Sequence, residues 1–154
     1  MIRLEMSPTK DYDKLVEFFI DNHLEYDEEE KENPDYIAAY EVTHGGDMIA
    51  AFAISLKEGQ LKDGTPCQDY VIDGIAVDKL YRKMHVGEMM VKKAIAKVKD
   101  LGGHRIILVA RAPEFFKSLG FTPVKNEPDY FDCIDCPQRG NECFPEVLEY
   151  ILED

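Results

Sequence analysis

Three sets of side chains in this sequence have the types and spacing to do chemistry. The first is Asp73, set in the run Tyr70-Val-Ile-Asp-Gly-Ile-Ala-Val77. If that run is a strand, Val71, Asp73, Ile75 and Val77 share one face, and a carboxylate stands among apolar neighbours. Desolvation disfavours its charged form and raises its pKa, which makes Asp73 a candidate general base. The competing reading makes Asp73-Gly74 a hairpin turn, with arms of only about three to five residues. The strand reading expects Gly74 to form a bulge. The second set is Arg82-Lys83-Met84-His85-Val86-Gly87. It opens a predicted helix, so two cations stand beside unpaired backbone N–H groups at a positive dipole end, the arrangement a pyrophosphate requires. The third is Cys133-x-x-Cys136-Pro with Cys143 beyond it and Cys67 ahead of the strand. Four such thiolates fit a tetrahedral zinc site, and free or regulatory thiols fit the spacing equally. A redox pair fits less well, because this Cys-x-x-Cys does not open a helix after a strand.

The elements that must position these groups follow from periodicity. Ile2 to Glu5 alternates as a short strand, Ser7-Pro8-Thr9 offers a cap, and Leu15, Phe18 and Phe19 recur at helical spacing through Asp11 to Asn22. Tyr36 to Val42 and Met48 to Leu56 are strand-like runs joined at His44-Gly45-Gly46-Asp47, a hairpin signal. A turn over Lys57 to Pro66 leads into the central strand. Met89, Met90, Ala94, Ile95, Val98 and Leu101 mark a helix from Val86 that Gly102-Gly103 closes. Arg105 to Ala110 reads as a buried strand. Pro113 and Gly120 then bracket a short helix, and a strand follows near Phe121 to Val124. Phe144, Val147, Leu148, Ile151 and Leu152 fit helical spacing, so the chain is expected to end in a helix. Strand, crossover helix, parallel strand implies an α/β domain with a mixed sheet.

Composition narrows the function classes. The 154 residues suit a single domain, 1–154, with a cysteine-containing segment at 130–154. A net charge of −13 repels phosphate backbones, so nucleic acid is not an expected partner and cationic amines are mildly favoured. Seven of the eleven residues from Glu25 to Asp35 are acidic, which reads as a solvated face. The sequence carries no apolar stretch of the length a membrane span needs, and its N-terminus is charged. The expectation is a soluble cytoplasmic protein without a membrane partner.

Together, Arg82-x-x-His85-x-Gly87 and Ala112-x-x-Phe115-Phe116-x-x-Leu119-Gly120-Phe121 resemble the signature of the GNAT superfamily of acetyl-CoA-dependent N-acetyltransferases, over residues 2–126. The resemblance implies a GNAT-like α/β fold with a mixed, mostly antiparallel sheet flanked by helices on both faces. It implies that backbone N–H groups of Met84, His85, Val86, Gly87 and Glu88, with Arg82 and Lys83, hold the CoA pyrophosphate. Ile75 and Val77 would pair with pantetheine, and the N–H at Ile75 would polarise the thioester carbonyl. Three departures stand out. His85 replaces a glycine, so that position must accept a side chain, in a strained backbone if the glycine was needed. Phe116 replaces a tyrosine that protonates the leaving thiolate, which leaves Tyr81, Tyr130 or water for that task. The family's early glutamate falls at Val71, which leaves Asp73 as the nearest carboxylate. The segment 112–145 also resembles short stand-alone N-acetylglutamate synthases, which share Phe-Phe before Leu-Gly-Phe and the Cys-x-x-Cys-Pro segment.

The expected activity is transfer of acetyl from acetyl-CoA to a primary amine of a small molecule or amino acid by direct attack. The alternative is a non-catalytic module that senses acyl-CoA or metal, and a third reading is an unrelated α/β domain with a zinc knob. The sequence leaves zinc occupancy and a homodimer open.

Overall fold

A computed structural model describes residues 3–22, 36–61, 63–110, 113–124 and 146–152. The acidic segment from Glu25, Ala112, Tyr130 and the three cysteines Cys133, Cys136 and Cys143 lie outside the described residues. Seven strands form one sheet in the order β1-β2-β3-β4-β5-β7-β6. They are β1 (Glu5–Pro8), β2 (Tyr36–His44), β3 (Asp47–Gln60), β4 (Pro66–Val77), β5 (Arg105–Ala110), β6 (Thr122–Pro123) and β7 (Glu146–Ile151). Among the described residues the helices are α1 (Tyr12–Asp21), α2 (Val86–Asp100) and α3 (Pro113–Ser118), with a 3-10 helix over Lys79–Met84. The chain forms two compact units, Met1–Ser55 with Ile72–Ala96, and Leu56–Val71 with Lys97–Asp154.

In the first unit, α1 starts where the Asp11 carboxylate accepts from the Lys14 amide at 3.2 Å. The cap is therefore Asp11 rather than Ser7 or Thr9. Ser7 and Pro8 instead belong to β1, which sits later than Ile2 to Glu5; an edge strand tolerates the missing proline donor. Leu15, Val16 and Phe19 of α1 pack on Tyr36, Ala39, Ala51, Ala53 and Ala76. The small residues on β3 let the large helix side chains approach the sheet closely. Gly45 and Gly46, at φ 62° and 88°, make the two-residue turn that pairs His44 with Asp47 and so sets the β2–β3 register.

In the second unit, β4 runs parallel to β5 with Tyr70 opposite Ile106 and Val71 opposite Ile107, as a crossover through α2 demands. Gly103 is tightly enclosed: a Cβ there would stand 2.5 Å from Val98 Cγ1 and 2.7 Å from Tyr70 Cδ2. The chain ends in a strand, not the helix expected from the Val147, Leu148, Ile151, Leu152 spacing. β7 pairs with β5 over six residues, from Arg105 opposite Ile151 to Ala110 opposite Glu146. A partner strand offering a full ladder outweighs a short helical pattern. Arg105 fixes this arrangement chemically. Its Nε and Nη2 donate to the two oxygens of Asp69 on β4 at 2.7 and 2.8 Å, and its Nη1 donates to Glu149 on β7 at 2.9 Å. The hydrogen bonds from Asp69 hold the guanidinium pKa above its ordinary value, against the opposing effect of burial.

Asp69 is only 7% exposed, so removing the guanidinium takes a bidentate counter-charge from a buried carboxylate. Arg105→Met is expected to cost about 3 kcal/mol, seen as a drop of roughly 6 to 12 °C in the unfolding midpoint. A loss below about 0.5 kcal/mol in urea unfolding would show the network to be ornamental.

Candidate active site

β4 runs unbroken from Pro66 to Val77 and removes the hairpin reading of Asp73-Gly74. Asp73 is half-buried, between Ile72 at 6% exposure and the buried Gly74. Its Oδ2 accepts a hydrogen bond from Ser55 Oγ of β3 at 2.9 Å. Ala76 packs with Ala51 and Ala53 beneath α1, on the side of β3 that Ser55 shares by two-residue alternation. Two β4 residues three apart on one side break the strand's alternation. An irregularity therefore lies between Asp73 and Ala76, where Gly74 is expected to bulge.

Past Val77 the chain must reverse into a helix within a few residues. Asp78 begins this: its N–H donates to Ile49 O at 2.7 Å, and its carboxylate accepts from the Leu80 amide at 2.9 Å. The 3-10 helix ends at His85, whose φ of 59° and ψ of 22° lie in the left-handed region. Among the described residues it is the one non-glycine with positive φ. The sequence expectation of a strained backbone at this position is met, and the strain has a purpose. The left-handed residue re-aims the chain so that α2 starts at Val86, and the Met89 amide is the first to find an α-helical acceptor, His85 O at 3.1 Å. By helix geometry the amides of Val86, Gly87 and Glu88 have no acceptor within α2 and point out of its N-terminus.

Side chains around this turn divide into those that brace it and those that charge it. Arg82 Nε donates to Val77 O at 3.2 Å, tying the turn to the end of β4 and engaging that carbonyl. His44 Nδ1 and the Tyr81 hydroxyl are hydrogen-bonded at 2.6 Å, so Tyr81 joins the turn to the β2–β3 hairpin. Arg82, Lys83 and His85 are exposed beside the open amides. Glu88 in the first turn adds a negative charge there. Lys92 Nζ stands 3.2 Å from one of its oxygens and His85 Nδ1 stands 3.6 Å from the other.

Asp73, Ile75, Val77 and residues 82–88 thus all belong to the first unit and follow one another along a single strand–turn–helix segment. Phe116 belongs to the second unit and is 7% exposed. Its ring meets Phe115 at 5.0 Å and Phe121 at 5.8 Å, both edge-on, as an aromatic core residue does. Cys67 is half-buried on β4, and the three other cysteines of the expected zinc site lie outside the described residues. Among the described residues no group of three His, Cys, Asp or Glu side chains could hold a metal, and no helix is long and apolar enough to cross a membrane. Sequence reasoning missed Ser55. A lone hydroxyl residue in the apolar run Met48 to Leu56 was its available signal.

One segment thus carries a carboxylate on its strand and ends in an open helix N-terminus, a donor-rich end that suits an anion. The family model described as "Acetyltransferase (GNAT) family" matches residues 3–121. The chain belongs to the GNAT acetyltransferase family and is an acyl-CoA N-acyltransferase. No curated protein matches its sequence. Its fold is similar to a GNAT acetyltransferase of Staphylococcus aureus at TM-score 0.68 and 16% identity, covering 98% of this chain and 100% of that one. It is similar to a GNAT N-acetyltransferase of Escherichia coli solved with CoA, at TM-score 0.70 and 15% identity, over 100% and 84% of the chains. An N-acetylglutamate synthase of Neisseria gonorrhoeae, solved with CoA and N-acetyl-glutamate, aligns at TM-score 0.68 and 16% identity over 100% of this chain and 36% of its own.

The left-handed turn predicts an order of stabilities at residue 85. His85→Gly is expected to match or exceed the parent by up to about 1 kcal/mol, since glycine enters this region without steric cost. His85→Val should fall below it by about 1 to 2 kcal/mol, because a β-branched residue fits positive φ worst. Equal unfolding midpoints for the three proteins would refute the strain.

Proposed function

We propose that this chain transfers acetyl from acetyl-CoA to a primary amine of a small molecule or amino acid by direct attack. The observation that carries the reading is the left-handed His85, which leaves the amides of Val86, Gly87 and Glu88 open beside Arg82 and Lys83. These groups suit the CoA pyrophosphate, with the amides supplying oriented donors and the two side chains supplying charge. His85, when protonated, adds to that charge. The backbone of Ile75 and Val77 then aligns pantetheine.

The chemistry follows from the protonation state of the nucleophile. An ammonium has no lone pair, so the acceptor must lose a proton before or during attack, and Asp73 takes it directly or through one water. The neutral nitrogen attacks the thioester carbon, and the carbonyl oxygen becomes an oxyanion that the Ile75 N–H stabilises. Collapse breaks the carbon–sulfur bond, and the nitrogen, protonated in the tetrahedral species, releases its second proton to solvent or to the departing sulfur, giving the amide and CoA as thiolate or thiol. A thiol of ordinary pKa, about 8.5, leaves acceptably as the anion. Phe116 has no proton to give, so the thiolate departs unassisted or takes a proton from water or from a hydroxyl such as Tyr81.

Asp73→Asn is expected to lower turnover of an accepted amine by about 10² to 10⁴ while leaving acetyl-CoA binding intact. Saturation at a hundred times the dissociation constant adds ~2.7 kcal/mol of stability, a rise of roughly 5 to 10 °C in both proteins. Undiminished turnover in the variant removes Asp73 as base. A missing thermal shift in the parent removes the cradle.

A further inference from the structure

Ser55 is the one hydroxyl in the fully buried run from Ala50 to Ser55, and it is itself 0% exposed. A hydroxyl taken out of water must find an acceptor or pay the desolvation of an unmade hydrogen bond. It has a single proton, and it donates that proton to Asp73 Oδ2 at 2.9 Å. The two residues are brought together by strand pairing, 18 positions apart in sequence. We propose that Ser55 is the positioning residue of the acetyl transfer: it holds the Asp73 carboxylate in place and keeps it ionised. This rests on the reading of Asp73 as the base given above.

A half-buried carboxylate drifts toward its neutral form, and a neutral Asp73 cannot accept a proton. A hydrogen bond donated to the charged form opposes that drift. The serine also restricts carboxylate rotation, which aims the basic oxygen; a base that wanders loses the near-attack geometry it needs. Tyr36 of β2, opposite Ser55 in register, and Tyr12 of α1, edge-on to Tyr36 at 5.3 Å, are the titratable members of the neighbouring cluster. The charged residues of α1, Asp13, Lys14, Glu17 and Asp21, are exposed. Ser55, which donates to the carboxylate itself, therefore has direct leverage on the Asp73 equilibrium.

The test is the pH dependence of kcat/KM for one accepted amine in the parent, Ser55→Ala, Ser55→Thr and Asp73→Asn. Ionisation of the amine is common to all four, so displacement between variants reports the enzyme. Ser55→Ala should move the acid limb about one unit to higher pH, the scale of one hydrogen bond to a charged group. Its rate should fall about tenfold below the limb and little above it, with the KM for acetyl-CoA unchanged. Ser55→Thr, which keeps the donor, should return the limb to its parental place. An unshifted limb in Ser55→Ala beside an inactive Asp73→Asn overturns the role of Ser55 alone. An active Asp73→Asn overturns the base and the role of Ser55 together.

Discussion

Everything proposed for this protein depends on how the chain gets from the end of β4 to the start of α2. A helix N-terminus carries about half an elementary charge and several oriented donors, but only if the preceding chain approaches from the side and leaves the amides open. The 3-10 helix and the left-handed His85 meet that requirement. A right-handed residue at position 85 would continue the spiral, and the preceding carbonyls would then take up the amides of Val86 to Glu88. The backbone strain is over-determined from several directions. Asp78 bonds to Ile49 and Leu80, Arg82 to Val77 and Tyr81 to His44, so the turn is held by residues from β2, β3 and β4. Strain that persists only because its surroundings insist on it is a mark of a functional turn.

How legible this was in the sequence depends on the range of the interactions. The segment from Tyr70 to Phe121 could be read almost element by element, because glycine, proline and capping residues punctuate it locally. Gly102 takes φ 82° after α2 and Gly120 takes φ 102° after α3, as helix stops do. The strain at His85 was legible for a different reason: the family signature has glycine there, and a glycine demanded by conformation leaves its demand behind when replaced. β7 was not legible. Val147, Leu148, Ile151 and Leu152 satisfy a helical period, and only β5, more than 30 positions away, decides the matter. The start of α1 failed on a smaller scale, since Ser7, Thr9 and Asp11 are all good caps and sheet pairing consumed the first.

The candidate site divides the same way. Asp73 and the turn into α2 lie on contiguous chain and could be named in advance. Ser55 could not, because nothing local marks a serine in a buried strand as the partner of one aspartate; the register of two strands does that. Phe116 shows the converse. Its position in the signature suggests a cofactor contact, and the structure places it in an aromatic cluster with Phe115 and Phe121.

A net charge of −13 opposes the approach of any anion, and the resolution is one of range. At physiological ionic strength the Debye length is about 8 Å, so acidic residues scattered over the surface act weakly on an anion at the start of α2. What an anion there would feel is the first turn: open amides, Arg82, Lys83 and the local carboxylate of Glu88. Glu88 would cancel part of the attraction if it stood alone. Lys92 at 3.2 Å, one turn along the same helix face, offsets that charge. The long-range repulsion slows encounter with any anion, whereas the affinity is decided by a handful of groups inside one Debye length. The same separation of scales acts with opposite sign on a cation: the global field draws it in, and the groups within one Debye length decide how tightly it is held.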